Sequence, residues 1–151
     1  MNTILIIGPQ GSGKTTLAKA LLPKPTYLNN QASEVGNLLL CHRFREIFES
    51  GKHKKHSILC DEADVFYSLL DRQQRADFKN YWAVARHRGL KVAVFIARRY
   101  VQIPIYVRAS ATQIYVSADV KSGRELNFLE NEGCVLDRGL PRGKFLFQKG
   151  L

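Results

Sequence analysis

Gly8-Pro9-Gln10-Gly11-Ser12-Gly13-Lys14-Thr15 is the stretch that decides the fold. It fits G-x-x-x-x-G-K-[ST] at every required position. The glycines let the backbone curl so that successive N–H groups point inward. A helix that starts there adds a partial positive charge for a phosphate to meet. The flanks agree. Ile4-Leu5-Ile6-Ile7 is too continuous for a one-sided strand and reads as a strand buried on both faces, the habit of parallel α/β sheets. Lys14 to Leu22 reads as a helix stopped by Pro23 and Pro25. Residues Gly8, Pro9, Gln10, Gly11, Ser12 and Gly13 are therefore expected to wrap nucleotide phosphates, with Lys14 on the β- and γ-phosphates. The Thr15 hydroxyl completes a Mg²⁺ shell, and Thr16, one residue further into the helix, reaches the α-phosphate.

Working outward, the next informative run is Ser57-Ile58-Leu59-Cys60-Asp61-Glu62, apolar until it ends in two adjacent carboxylates. Ligands of open α/β sheets bind at the carboxyl ends of strands, so Asp61 is expected to face the phosphate loop and hold Mg²⁺ through its water shell. Glu62 points differently and is the candidate general base for an attacking water. The competing use of Asp61-Glu62 is to cap a helix beginning near Ala63. The pair also sorts the nucleotide chemistries. A GTP-reading N-K-x-D motif does not occur in the chain. A small-molecule or nucleotide kinase takes its nucleophile from the substrate and has little use for a water-activating glutamate. The expected reaction is Mg²⁺-dependent hydrolysis of ATP that drives something else. The alternatives are such a kinase, with its arginines as a phosphate-gripping lid, and an ATP-dependent switch or assembly factor that binds protein.

The remaining chain alternates strand and helix patterns. A short strand is expected at Thr26-Tyr27-Leu28, a helix over Val35 to Glu49, and one or two amphipathic helices over 64–88, broken at Gly89. Further strands are expected at Val92 to Ala97 and Gln113 to Val116, and a helix over Arg124 to Glu132. Two short strands, Cys134 to Leu136 and Phe145 to Phe147, flank the turn-like Gly139-Leu140-Pro141-Arg142-Gly143. Alternation of this kind predicts one domain with a three-layer α/β fold.

The 151 residues carry 23 Lys and Arg against 13 Asp and Glu, and the net +10 is unevenly placed. Arg72 to Arg108 holds nine basic residues and one acid, so +8 of the excess lies in one middle segment. That asymmetry suggests a polyanion-facing surface. Lys52, Lys54 and Lys55 form a second basic loop. His53 and His56 lack further ligands nearby, so no metal site is read there. Tyr81-Trp82, with Phe66, Leu69, Leu70 and Phe78, reads as core. No apolar run approaches the roughly 20 residues of a membrane helix, and Met1 to Gly8 lacks the features of a secretion signal. Three scattered cysteines argue against a disulfide framework and for a reducing compartment.

Together, Gly8 to Thr15, Ile58 to Glu62, Ala85-Arg86-His87-Arg88-Gly89, Ile103-Pro104…Val107-Arg108 and the final Gly139 to Leu146 resemble the FtsK/HerA-type ATPases, particularly the viral genome-packaging branch. The resemblance covers most of the chain and implies a RecA-like, additional-strand (ASCE) P-loop NTPase fold. Its sheet would be mainly parallel, with a C-terminal β-hairpin-like addition. It also implies a homo-oligomeric ring that threads double-stranded DNA in the cytoplasm of a host or in association with a virion, with a viral portal or capsid protein as partner. Filamentous-phage assembly and conjugation ATPases belong to the same broad group. The resemblance places the trans-acting arginine finger before the third strand, at Arg86 or Arg88, with Arg98, Arg99 and Arg108 in reserve. The family's polar sensor, commonly Gln, belongs at the tip of that strand. Here the chain has Ala97-Arg98-Arg99, so Arg98 is expected at the sensor position or one step from it.

Overall fold

The computed structural model describes residues 1–25, 27–29, 55–120, 123–131, 134 and 145–149. The apolar runs become its strands. β1 (Asn2–Ile7) feeds α1 (Lys14–Leu21), and β2 is Tyr27–Asn29, where Tyr27 and Leu28 of the expected strand fall and Thr26 lies outside the described residues. β3 (His56–Cys60) is followed by α2 (Ala63–Leu69) and α3 (Arg72–Val84), and a 3₁₀ turn at Ala85–Arg88 ends on Gly89. β4 (Leu90–Ala97), α4 (Ile105–Arg108), β5 (Gln113–Ser117), α5 (Gly123–Asn131) and β6 (Phe145–Lys149) complete the order. The two-helix division of the 64–88 stretch is set at Asp71. Its side chain accepts from Gln74 N at 2.8 Å while Gln74 Oε1 accepts from Asp71 N at 3.0 Å, a reciprocal capping box.

The strands form one sheet in the order β2-β3-β4-β1-β5-β6. The first five are parallel and β6 lies antiparallel on β5, with Tyr115 opposite Phe147. β4 is thus inserted between the phosphate-loop strand β1 and the acidic strand β3, as the additional-strand reading requires. The C-terminal addition is a single antiparallel strand beside β5. Its expected hairpin partner lies, except for Cys134, outside the described residues, as do the 35–49 helix, Lys52 to Lys54, and the 139–143 turn.

Because side chains alternate across a strand, β1 feeds two cores. Leu5 and Ile7 join Phe66, Phe78, Tyr81, Trp82, Phe95 and Leu129 under α2, α3, α4 and α5. Ile4 and Ile6 join Val94, Ile96 and Ala18 under α1. Three layers result. Tyr81 is fully buried and Trp82 nearly so, with the Trp82 indole N–H donating to Ser110 Oγ at 3.1 Å. Leu69 departs from the core expectation and is 63% exposed. It is the last residue of α2, where the chain turns toward α3, and Phe66 before it and Leu70 after it are the residues buried in the core.

Candidate active site

The carboxyl ends of the three middle strands set out the site. Ile7 pairs with Ala97 and Cys60 with Phe95, so the residues that follow each strand gather at one edge. A cleft of about 200 Å³ opens there, lined among others by Gln10, Gly11, Gly13, Lys14, Thr15, Thr16, Asp61, Glu62, Asp64 and Arg98. The expected loop, acid pair and one arginine therefore converge, although they come from three separate stretches of sequence.

The loop's shape follows from its residues. Gly11 and Gly13 have φ of +76° and +88°, left-handed values that a side chain opposes. Gly13 is the N-cap of α1, whose first turn has no side-chain cap and no acidic residue, leaving its N–H groups to a ligand. Ser12 Oγ donates to Pro9 O at 2.8 Å, and the Lys14 ammonium donates to the same carbonyl at 2.6 Å. Pro9 and Ser12 thus brace the loop, and both stand apart from the residues lining the cleft. Partial burial lowers the Lys14 pKa from its ordinary value, with the Asp61 carboxylate the largest opposing influence.

Gly8 sits beneath this arch. Its N–H donates to Ala97 O at 3.2 Å, and a Cβ placed on it would come within 2.6 Å of Ser117 Cβ and 2.7 Å of Ser12 Oγ. Gly8→Ala is therefore expected to destabilise the fold by about 1–3 kcal/mol, a melting-temperature drop of several degrees by calorimetry. Adding Ser117→Gly should recover part of it. An unchanged melting temperature would show that the loop is not packed this closely.

Asp61 and Thr15, expected to share Mg²⁺, are brought into contact: the Thr15 hydroxyl donates to Asp61 Oδ2 at 3.1 Å. A hydroxyl and a carboxylate beside a phosphate cradle are a fitting donor set for Mg²⁺, which favours one or two carboxylates, water and substrate phosphate. Glu62 is the N-cap of α2 but makes no side-chain cap hydrogen bond, so the capping alternative is set aside. It is also the only non-glycine with positive φ among the described residues (φ 51°, ψ 52°). Such a backbone costs about 1–2 kcal/mol and is found where the surrounding structure imposes it, often at functional sites.

The basic segment divides into unlike parts. Arg98 follows β4 into the cleft, and its Nε lies 3.3 Å from Asp64 Oδ2. Arg75 instead donates to the carbonyls of Leu70 (3.1 Å) and Ser68 (3.3 Å) and stacks over Tyr67, closing the end of α2. Arg108 lies over the rings of Tyr100 and Phe128 at 5.2 Å each. Arg86 and Arg88 are in the turn before β4, at the opposite end of an eight-residue strand from the cleft, about 26 Å away. They are not brought to this chain's own site. Arg72, Lys79, Lys91 and Arg99 are exposed. His56, considered with the basic loop, is buried, with its Nε2 2.7 Å from the Tyr81 hydroxyl. Asp64 is the residue that sequence reasoning missed. Its one sequence mark is a third acid within four residues of a buried strand.

In structure the chain is similar to the genome packaging NTPase B204 from Sulfolobus turreted icosahedral virus 2, solved with sulfate, at TM-score 0.72. The two are 16% identical over 99% of this chain and 91% of that one. The DNA-packaging ATPase B204 from Sulfolobus turreted icosahedral virus aligns at TM-score 0.68 and 15% identity, over 99% and 92%. The N-terminal domain of zonular occludens toxin from Neisseria meningitidis aligns at 0.53 and 17%, over 81% and 79%. Identities this low speak for a shared fold. No curated protein matches the sequence. Residues 4–85 match the ATPase family associated with various cellular activities (AAA). That span runs from the first buried strand through the phosphate loop to Asp61-Glu62 and beyond, more than half of the chain, and the chain belongs to the AAA ATPase family.

Proposed function

We propose that this ATPase is a motor that packages or translocates double-stranded viral or phage DNA as a homo-oligomeric ring. The observation that carries the reading is Glu62. It stands in the cleft beside Asp61, with no capping duty, at the end of the strand next to β4. A carboxylate there serves hydrolysis, in which a water is the nucleophile, better than transfer to a bound substrate hydroxyl. The packaging ATPases that share the fold support the coupling to DNA.

In this reading the N–H groups of the loop and the α1 N-terminus hold the phosphates. Lys14 leaves Pro9 O for the β- and γ-phosphates. Thr15 and Asp61 would hold Mg²⁺, which when bound neutralises phosphate charge. Glu62 takes a proton from water as its oxygen attacks the γ-phosphorus. The bond from that phosphorus to the β–γ bridging oxygen breaks, and ADP leaves with the electron pair. Arg86 or Arg88, remote from its own cleft, is delivered to a neighbour's. The exposed Arg72, Lys79 and Lys91, with Lys55 at the foot of β3, supply charge for DNA phosphates. A portal or capsid protein would anchor the ring, which would act in the host cytoplasm or on the virion.

ATP hydrolysis measured with and without double-stranded DNA at several salt concentrations tests this. Stimulation by DNA that fades steeply with salt is expected, because phosphate contacts release counterions. Turnover indifferent to DNA would sink the motor, and phosphate transfer to a nucleotide would replace it with a kinase.

A further inference from the structure

Asp64 lies in the first turn of α2 with its side chain 3% exposed, facing an Arg98 side chain that is 55% exposed. One carboxylate oxygen, Oδ2, meets Arg98 Nε at 3.3 Å; the other, Oδ1, is buried without a hydrogen-bond partner. Burying a carboxylate this incompletely paired is costly, and well-packed apolar residues usually do as well or better for stability alone. Its location accounts for it. Cys60 is opposite Phe95, so β4 runs two residues past the end of β3, about 7 Å. Arg98 therefore stands at the height of α2's first turn, and the left-handed Glu62 directs that turn over the cleft. Lys14 feels both partners: Asp64 raises its pKa and Arg98 lowers it.

We propose that Asp64 positions Arg98 for the γ-phosphate of ATP, holding the guanidinium through Nε and leaving its Nη groups to the nucleotide. Guanidinium suits this divided task. It presents five donors in a rigid fork, so one edge can be anchored while the other reaches an anion. A lysine ammonium carries the same charge but cannot be fixed at one edge and aimed with the other. Asp64 touches no substrate; it acts through Arg98. The pair rests on the ATPase reading and not on DNA, so the test uses turnover without DNA.

The test is a double-mutant cycle of Asp64→Asn and Arg98→Lys in the full chain, reading kcat, KM and ADP affinity. Each single change is expected to lower kcat about tenfold or more while KM and ADP affinity stay within about threefold. In the Asp64→Asn background, Arg98→Lys should cost no more than about twofold, since there is no anchor left to lose. Equal costs in both backgrounds, or an effect in KM alone, would overturn the proposal, as would unchanged kcat in Asp64→Asn. Should Asp64→Asn fail to fold, Arg98→Lys and Arg98→Ala decide the matter. The proposal expects lysine to be nearly as slow as alanine, and a lysine variant turning over like the wild type would refute it. DNA-indifferent turnover with an intact cycle would remove the motor and leave Asp64 in its role.

Discussion

Glu62→Gln is expected to bind ATP as tightly as the unaltered chain and to hydrolyse it at least 100-fold more slowly. The substitution keeps size and shape but removes the proton acceptor, and a positioned general base contributes about 10²–10⁴ in rate. Two observations make the expectation specific. The Glu62 side chain caps nothing, so its loss should not loosen α2. Its left-handed backbone is borne equally by Gln, so no strain is added or relieved. Single-turnover hydrolysis together with nucleotide affinity checks the prediction. Turnover within threefold of the original would remove Glu62 as the base. A matching loss of ATP affinity would instead make it a binding residue.

The second large effect belongs to Lys14. Lys14→Ala should weaken ATP binding about 100-fold or more, because charge-assisted bonds to phosphate contribute about 1.5–3 kcal/mol each and the proposed function gives Lys14 two phosphates. The nucleotide-free protein should not suffer. Burial holds the Lys14 pKa below its ordinary value, so the unfolded chain binds this proton more readily than the folded one. Stability from this group therefore rises as pH climbs from the lowered folded pKa toward the ordinary lysine value, and below that window the ammonium is a cost. At neutral pH, Lys14→Ala should melt no lower than the parent without nucleotide, and it should lose the parent's stabilisation by ATP. Nucleotide phosphates draw the lysine pKa back up, so ATP affinity in the parent should fall as pH rises through the lowered value. Thermal melts with and without ATP across pH test both halves. A variant that melts several degrees lower without nucleotide would show that the bond from Lys14 to Pro9 O holds the fold rather than waits for a ligand.

Much of this site is written in contiguous residues. Eight positions of the loop and the two acids after β3 are each a local pattern, and the strand before each is a local apolar run. Local patterns survive into structure because the turn, the helix start and the strand end they specify depend on residues a few positions apart. The basic segment was not legible in the same way. Nine similar charges between Arg72 and Arg108 look alike in a string. Folding sends Arg75 to backbone carbonyls, Arg108 to two aromatic rings, Arg98 to the cleft, and Arg86 and Arg88 to the other end of the sheet. Net charge thus overstated the surface available to a polyanion.

The residue string alone was enough for a glycine-rich loop between a buried strand and a helix, a strand ending in two carboxylates, and layers of alternating strand and helix. Only the tertiary structure decided that β4 lies between β1 and β3, that Arg98 and not its neighbours enters the cleft, and that Asp64 meets it. The reason is one of range. Loop and helix starts are set by sterics and hydrogen bonds within a few residues, whereas Asp64 and Arg98 are 34 positions apart. Their meeting depends on strand order and on a two-residue overhang in register, which appear only when the sheet is assembled.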